Sequence, residues 1–351
     1  MTPGPARAVR SSRAATGAVV ALLLLAACGG GPGDDDGSTR PGVDGETGSA
    51  TAPGASDDGP HAVNPVIDDD FPDPDVLEVD GTWYAYATNG NARNVRVASS
   101  TDLVEWTELP DAFPTLPPWV IPGKTWAPEV TELGPDRYAL YFTATNFDPA
   151  QQCIGVAVAD SPEGPFETVG EGMLVCPEDE GGAIDASTFT DSGGTRYLLW
   201  KNDGNCCGLD TWLQMAPLSP DGTALAGEPV RLVQQDQPWE GDLVEAPTLV
   251  ERDGTYVLLY SANDYGGAAY TIGVATASTV TGPYTKQPDP LFTTYDFDSR
   301  YVGPGGQDVV VGPDGTDVLV FHSWYGGDTY RGMNVLPLAW EDGLPVVAPP
   351  S

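Results

Sequence analysis

Five acidic residues recur at the head of similar short segments: Asp73, Glu129, Asp185, Glu245 and Asp308. Their separations are 129 − 73 = 56, 185 − 129 = 56, 245 − 185 = 60 and 308 − 245 = 63 residues. Carboxyl groups at such positions matter as a set. Gathered in a partly desolvated cleft they raise one another's pKa, so that one stays protonated while another is ionised. A pair of that kind can protonate a leaving oxygen and activate a water, the two acts that hydrolysis of a glycosidic bond requires. The same acids could instead cap turns or surround a central cation.

The segments behind the acids say how they would be brought together. Asp73-Pro74-Asp75-Val76-Leu77 is followed by Trp83-Tyr84-Ala85-Tyr86, and Glu245-Ala246-Pro247-Thr248-Leu249 by Tyr256-Val257-Leu258-Leu259-Tyr260. Each unit reads as a strand, a Gly/Asp turn and a second, more apolar strand rich in β-branched and aromatic residues. A further hairpin follows in most units, as in Ile272-Gly273-Val274-Ala275 leading to Gly282-Pro283-Tyr284. Four short strands repeated about every 60 residues, with no helical periodicity between them, predict an all-β, five-bladed β-propeller. A β-sandwich would not repeat itself at this period. In a propeller the first strand of each blade lines the central axis, so acids far apart in sequence converge on one funnel.

At these residues the sequence resembles glycoside hydrolase family 43, from Asn64 to the end of the chain. Asn64-Pro65 with Asp73-Pro74 is similar to the family's opening, which makes Asp73 the expected general base. Ile184-Asp185-Ala186-Ser187 resembles the segment whose aspartate tunes and holds the acid, with Ala186 in place of the usual proline. Glu245-Ala246-Pro247 is similar to the motif that supplies the general acid, and Trp126-Ala127-Pro128-Glu129 to the one whose tryptophan walls the sugar pocket. Glu129 is not a catalytic position in that pattern. Arg331 lies in a late segment whose arginine reaches substrate. The resemblance implies single-displacement hydrolysis with inversion, on arabinofuranosyl linkages of plant cell-wall polysaccharide such as arabinan or arabinoxylan. A β-xylosidase and a non-catalytic glycan-binding propeller are the alternatives, the latter opposed by the presence of all three carboxylates. Exo or endo attack stays open. No cofactor is required. A structural cation on the axis is compatible, but Gly305-Gly306-Gln307 stands where many relatives have Gly-His, so no metal ligand is assigned. His322 is expected to be a satisfied structural histidine.

The N-terminus reads as an address. Arg7, Arg10 and Arg13 precede a short apolar run ending in Leu25-Ala26-Ala27-Cys28, which resembles a bacterial lipobox. Residues 1–27 are expected to be a lipoprotein signal peptide, Cys28 the lipidated residue, 28–62 a disordered tether rich in Gly, Ser, Pro, Thr and Asp, and 63–351 the propeller. The protein would then sit on the outer face of the cell envelope, touching the membrane only through its lipid, or be secreted. The chain carries 15 Lys+Arg against 51 Asp+Glu, a net charge of −36. Nucleic acid and anionic lipid are therefore poor partners, while a neutral polysaccharide is not repelled. A monomer is expected. The four further cysteines suit two disulfides in an exported chain. Three pairings exist, of which cross-pairing of Cys206 and Cys207 to Cys153 and Cys176 is the expectation.

Overall fold

A computed structural model describes residues 63–349 apart from Glu171. The proposed signal peptide, Cys28 and the tether lie outside the described residues. Among the described residues no helix is long and apolar enough to cross a membrane.

The repeat folds as predicted. Five antiparallel four-stranded sheets follow one another along the chain, each with its strands in sequence order. The first blade comprises β1 (Asp75–Val79), β2 (Thr82–Ala87), β3 (Arg96–Ser100) and β4 (Thr107–Glu108). The innermost strands of the other blades are β5 (Val120–Gly134), β9 (Ala183–Thr190), β13 (Val244–Arg252) and β17 (Val302–Val311). Alternate residues of each blade point to opposite neighbours, so the apolar core is divided into five clusters, one at each interface between adjacent blades. The ring is closed by residues 64–71. Asn64 grips Val335, accepting its N–H at 2.8 Å and donating to its carbonyl at 2.9 Å, and Phe71 N–H donates to the Arg331 carbonyl at 2.8 Å. The Asn-Pro opening is thus a latch onto β19 (Tyr330–Glu341) of the last blade.

Four of the five innermost strands break their ladder at the same place. Trp126 pairs with Thr143 and Glu129 with Tyr141, so Ala127 and Pro128 together oppose Phe142. Asp185-Ala186 oppose Trp200, Ala246-Pro247 oppose Tyr260, and Gly306-Gln307 oppose Phe321. These are β-bulges, two residues against one. The first residue of each has positive φ: Ala127 at 38°, Asp185 at 57°, Ala246 at 49° and Gly306 at 55°. Asp73, at 54°, holds the corresponding place just ahead of β1. Four of the five are not glycine, and a side chain in this region costs about 1–2 kcal/mol, so the bend is imposed by its surroundings.

The cysteines pair differently from the expectation. Cys153 is bonded to Cys176, and Cys206 to its neighbour Cys207. Ile154 and Val175 form an antiparallel bridge that sets Cys176 beside Cys153, while the other two share a turn, Gly204–Cys207, in the next blade.

The bulge generates a test. A Cβ on Gly306 would lie 2.6 Å from the His322 ring and 3.0 Å from Asp73 Oδ1. Gly306→Ala is expected to destabilise the fold by roughly 2–4 kcal/mol, read by chemical denaturation. Ala127→Gly, at the matching place in blade 2, is expected to leave stability unchanged or raise it.

Candidate active site

The bulges build one pocket. Three consecutive residues from every blade line it, beginning at Asp73, Ala127, Asp185, Ala246 and Gly306. Aligning the blades on these positive-φ positions resolves the acids into two tiers. Asp73 and Asp185 occupy the bulge position and Glu245 the residue before it. Asp75, Glu129 and Asp308 all stand two residues further on, deeper along the strand. The sequence repeat had placed Glu129 and Asp308 level with Asp73; the bulge phase moves both to the lower tier with Asp75. Trp126 in blade 2 holds the place of Glu245 in blade 4, half-buried, with Lys124 Nζ 5.6 Å from its ring centroid.

In the upper tier the three carboxylates meet different partners. Asp73 Oδ1 lies 3.3 Å from Arg331 Nη1, and its Oδ2 accepts the Thr88 hydroxyl at 2.7 Å. Burial pushes this carboxyl up, but Arg331, His322 and Thr88 outweigh it and hold Asp73 below the ordinary aspartate value. His322 is itself driven down to about 3, chiefly by burial, so at neutral pH it is uncharged and Arg331 supplies the field. Asp185 is pushed well above the usual range by burial and by the charges of Glu245 and Asp73, against the opposing pull of Lys201 and the Ala246 amide. That amide donates to Asp185 Oδ2 at 3.0 Å, tying Asp185 to the residue next to Glu245. Glu245 is almost fully buried, accepting from the Tyr270 hydroxyl at 2.9 Å and pairing with Lys201 Nζ at 2.8 Å. One funnel therefore holds one carboxyl kept below the ordinary aspartate value and another pushed well above it.

Arg331 is placed by aromatic faces, its guanidinium carbon 4.9 Å from the Tyr265 ring centroid and 5.7 Å from that of Trp324. His322 meets the expectation of a satisfied histidine at only one nitrogen. Nδ1 accepts the Asp73 amide at 3.0 Å, and buried Nε2 has no protein partner. Thr88, Tyr270 and Lys201 were not legible as site residues. The only signal for Lys201 is a charge inside the apolar run Leu198-Leu199-Trp200-Lys201.

An axial cation finds no direct cage. Among the described residues no group of three or more His, Cys, Asp or Glu could hold a metal ion. Both ends of the Gln307 amide are engaged, with Ser261 Oγ at 2.8 Å and the Ala246 carbonyl at 2.6 Å. His322 Nδ1 is likewise occupied, and as Nδ1 accepts, Nε2 carries the proton of the neutral ring. These residues do not fit an ion bound through side chains. In the lower tier burial, then Glu129 and Asp308, push Asp75 well up, while burial takes Glu129 to about 7 and Asp308 to about 6.

Residues 62–345 match the profile of Glycosyl hydrolases family 43. The chain belongs to that family. This glycoside hydrolase is 26% identical to an extracellular endo-α-(1→5)-L-arabinanase of Bacillus subtilis, over 78% of this chain and 86% of the relative. It is 32% identical to an extracellular exo-α-(1→5)-L-arabinofuranosidase of Streptomyces chartreusis, over 56% of this chain and 62% of that one. A β-D-galactofuranosidase of Aspergillus niger is 28% identical, over 76% and 77%. Among solved structures, a thermostable family-43 glycoside hydrolase superposes with a TM-score of 0.74 at 30% identity, covering 83% of this chain and 96% of that one.

The lower tier makes a prediction for the hydrolase's stability. Glu129 is raised from 4.5 to about 7 in the fold, so the native state binds more protons than the unfolded chain across that interval. Stability should then fall as pH rises from about 4.5 to 7. Glu129→Gln, which keeps the acceptor that Thr188 N–H meets at 2.8 Å, is expected to flatten that fall in pH-dependent denaturation midpoints.

Proposed function

We propose that this family-43 hydrolase cleaves α-L-arabinofuranosyl linkages of plant cell-wall polysaccharide by single displacement with inversion. The observation that carries the reading is the opposed pair in one funnel, Asp73 held below and Asp185 held well above the ordinary aspartate value. Environments that drive two carboxyls apart mark an acid–base site, and the raised member, Asp185, lies beside Glu245 and is bonded to the Ala246 amide that follows it. Asp73, ionised, takes a proton from the attacking water. Glu245 delivers a proton to the departing oxygen as the glycosidic bond breaks. Asp185 keeps a proton beside Glu245 and, through the Ala246 amide, fixes the strand that carries it. Arg331 hydrogen-bonds a substrate hydroxyl and, through its contact with Asp73, keeps the base charged. Trp126 offers a ring face to the sugar.

Arabinofuranosyl specificity is supported by relatives named as arabinanases and as an arabinofuranosidase. The relative named as a galactofuranosidase shares a five-membered sugar ring, which defines the nearest competing substrate. The lipobox-like segment ending at Cys28 would hold the enzyme, as a monomer, outside the cell, where polymeric substrate is found. Relatives carrying "extracellular" in their names agree with export.

The test is activity on aryl α-L-arabinofuranoside, aryl β-D-xyloside, aryl β-D-galactofuranoside and linear arabinan. Arabinosides are expected to be turned over fastest. Asp73→Asn, Asp185→Asn and Glu245→Gln should each lose roughly 10²–10⁴-fold in kcat while each variant still folds. Glu129→Gln should stay within a few-fold of wild type. A dead Glu129→Gln with an active Asp185→Asn would overturn the assignment.

A further inference from the structure

Glu245 is clamped by a cation that the roles above do not use. Lys201, on β10 (Arg196–Asn202), follows Trp200, which is packed into the interface between the second and third blades. Successive strand residues face opposite sides, so Lys201 is turned toward the fourth blade. Its side chain is 1% exposed, with Nζ 2.8 Å from Glu245 Oε2 and 3.8 Å from Asp203 Oδ1. Burial works against its charge, but Glu245, Asp185 and Asp203 outweigh burial and hold the ammonium above the ordinary lysine value. The charge is therefore permanent across the working range.

A fixed cation on a group that must donate a proton looks contrary to its purpose. It is not, once the two protonation states are compared. The ammonium does little for a neutral carboxylic acid and much for the carboxylate left after the proton has gone. It favours the charge distribution of the transition state over that of the ground state, where catalysis is gained. We propose that Lys201 is a positioning residue that holds the Glu245 carboxylate in place and stabilises it as its proton passes to the leaving oxygen. The groups facing Glu245 divide into this cation, the anionic or protonated Asp185, Asp203 and more distant Asp73, and the neutral Tyr270, whose ring stacks on neutral His322 at 5.8 Å. Lys201 opposes the proton-retaining influence of Asp185, so the pair's proton affinity is set by a balance of the two. The proposal rests on Glu245 being the acid.

The measurement is kcat/KM against pH for Lys201→Met in the full chain, on an arabino-oligosaccharide and on 4-nitrophenyl α-L-arabinofuranoside. Without the cation the basic limb, which reports loss of the acid's proton from the Asp185–Glu245 pair, should move to higher pH by roughly 1–2 units. The plateau should fall about tenfold further on the oligosaccharide, whose poor leaving group needs the acid, than on the aryl substrate, whose leaving group needs it less. Asp203→Asn removes a competitor for the ammonium and should move the same limb to lower pH by less, and Lys201→Arg should restore the wild-type profile in part. Opposite shifts from two neighbouring substitutions are not produced by loosened packing. A folded Lys201→Met with an unmoved basic limb overturns the inference. If that variant does not fold, Asp203→Asn decides alone, an unmoved limb again overturning it. Failure of the underlying reading shows separately, as wild-type protein inactive on both arabinosides or as an active Glu245→Gln.

Discussion

The left-handed bulge on the innermost strand is the constraint on which the rest of the structure depends. A regular strand would point alternate side chains into the two inter-blade interfaces, leaving the axis lined by backbone. Two residues set against one bend the strand and release side chains from that alternation. At Asp73 and Asp185 the carboxylate itself occupies the strained position, and at Ala246 the bend follows directly after Glu245. Strain of about 1–3 kcal/mol at a site of this kind persists only where packing overrides it. Here that packing is the five apolar interfaces, which fix the blades independently of what the axial residues prefer. Glycine relieves the bend only in blade 5, where the His322 ring and Asp73 leave no room for a Cβ.

Putting many carboxylates on one axis creates an electrostatic problem that the two tiers solve differently. The lower acids, Asp75, Glu129 and Asp308, accept strand amides, and burial nevertheless raises all three above the ordinary carboxyl range. The upper acids differ in the cations they face, a part-buried Arg331 and a fully buried Lys201. Arg331 secures an ionised Asp73, and Lys201 faces Glu245. Asp185, with no cation of its own at hydrogen-bonding distance, is the member pushed well above the usual range. A nearly uniform ring of acids is thereby divided into distinct electrostatic environments by which blade supplies a neighbouring cation.

Much of this was legible in the sequence. The 56-to-63-residue repeat and its turn chemistry carried the five blades, because each blade is built from local hairpins whose signals lie within one unit. Asp73, Asp185 and Glu245 could be singled out because their flanking residues form distinctive short motifs. Aligning Glu129 and Asp308 with Asp73 went astray because a bulge adds a residue without leaving a mark in composition. Only the ladder register shows that they match Asp75. Lys201 reaches Glu245 from 44 residues before it, across a blade boundary, and Tyr270 from 25 residues after it, from a loop of the same blade, and no local pattern describes either contact. The cysteine pairing depended on the Ile154–Val175 bridge, also a long-range feature.

The central claim is that Asp73 and Glu245 act on opposite faces of the sugar with a water between them, which calls for carboxyls about 6.5–9.5 Å apart rather than the 5–5.5 Å of a covalent mechanism. Proton NMR of the first product released from an α-L-arabinofuranosyl oligosaccharide tests it most directly. The account predicts β-L-arabinofuranose at the newly formed reducing end, with the α-anomer growing in only by mutarotation. The α-anomer appearing first would require a glycosyl-enzyme intermediate and would contradict the roles assigned to both residues.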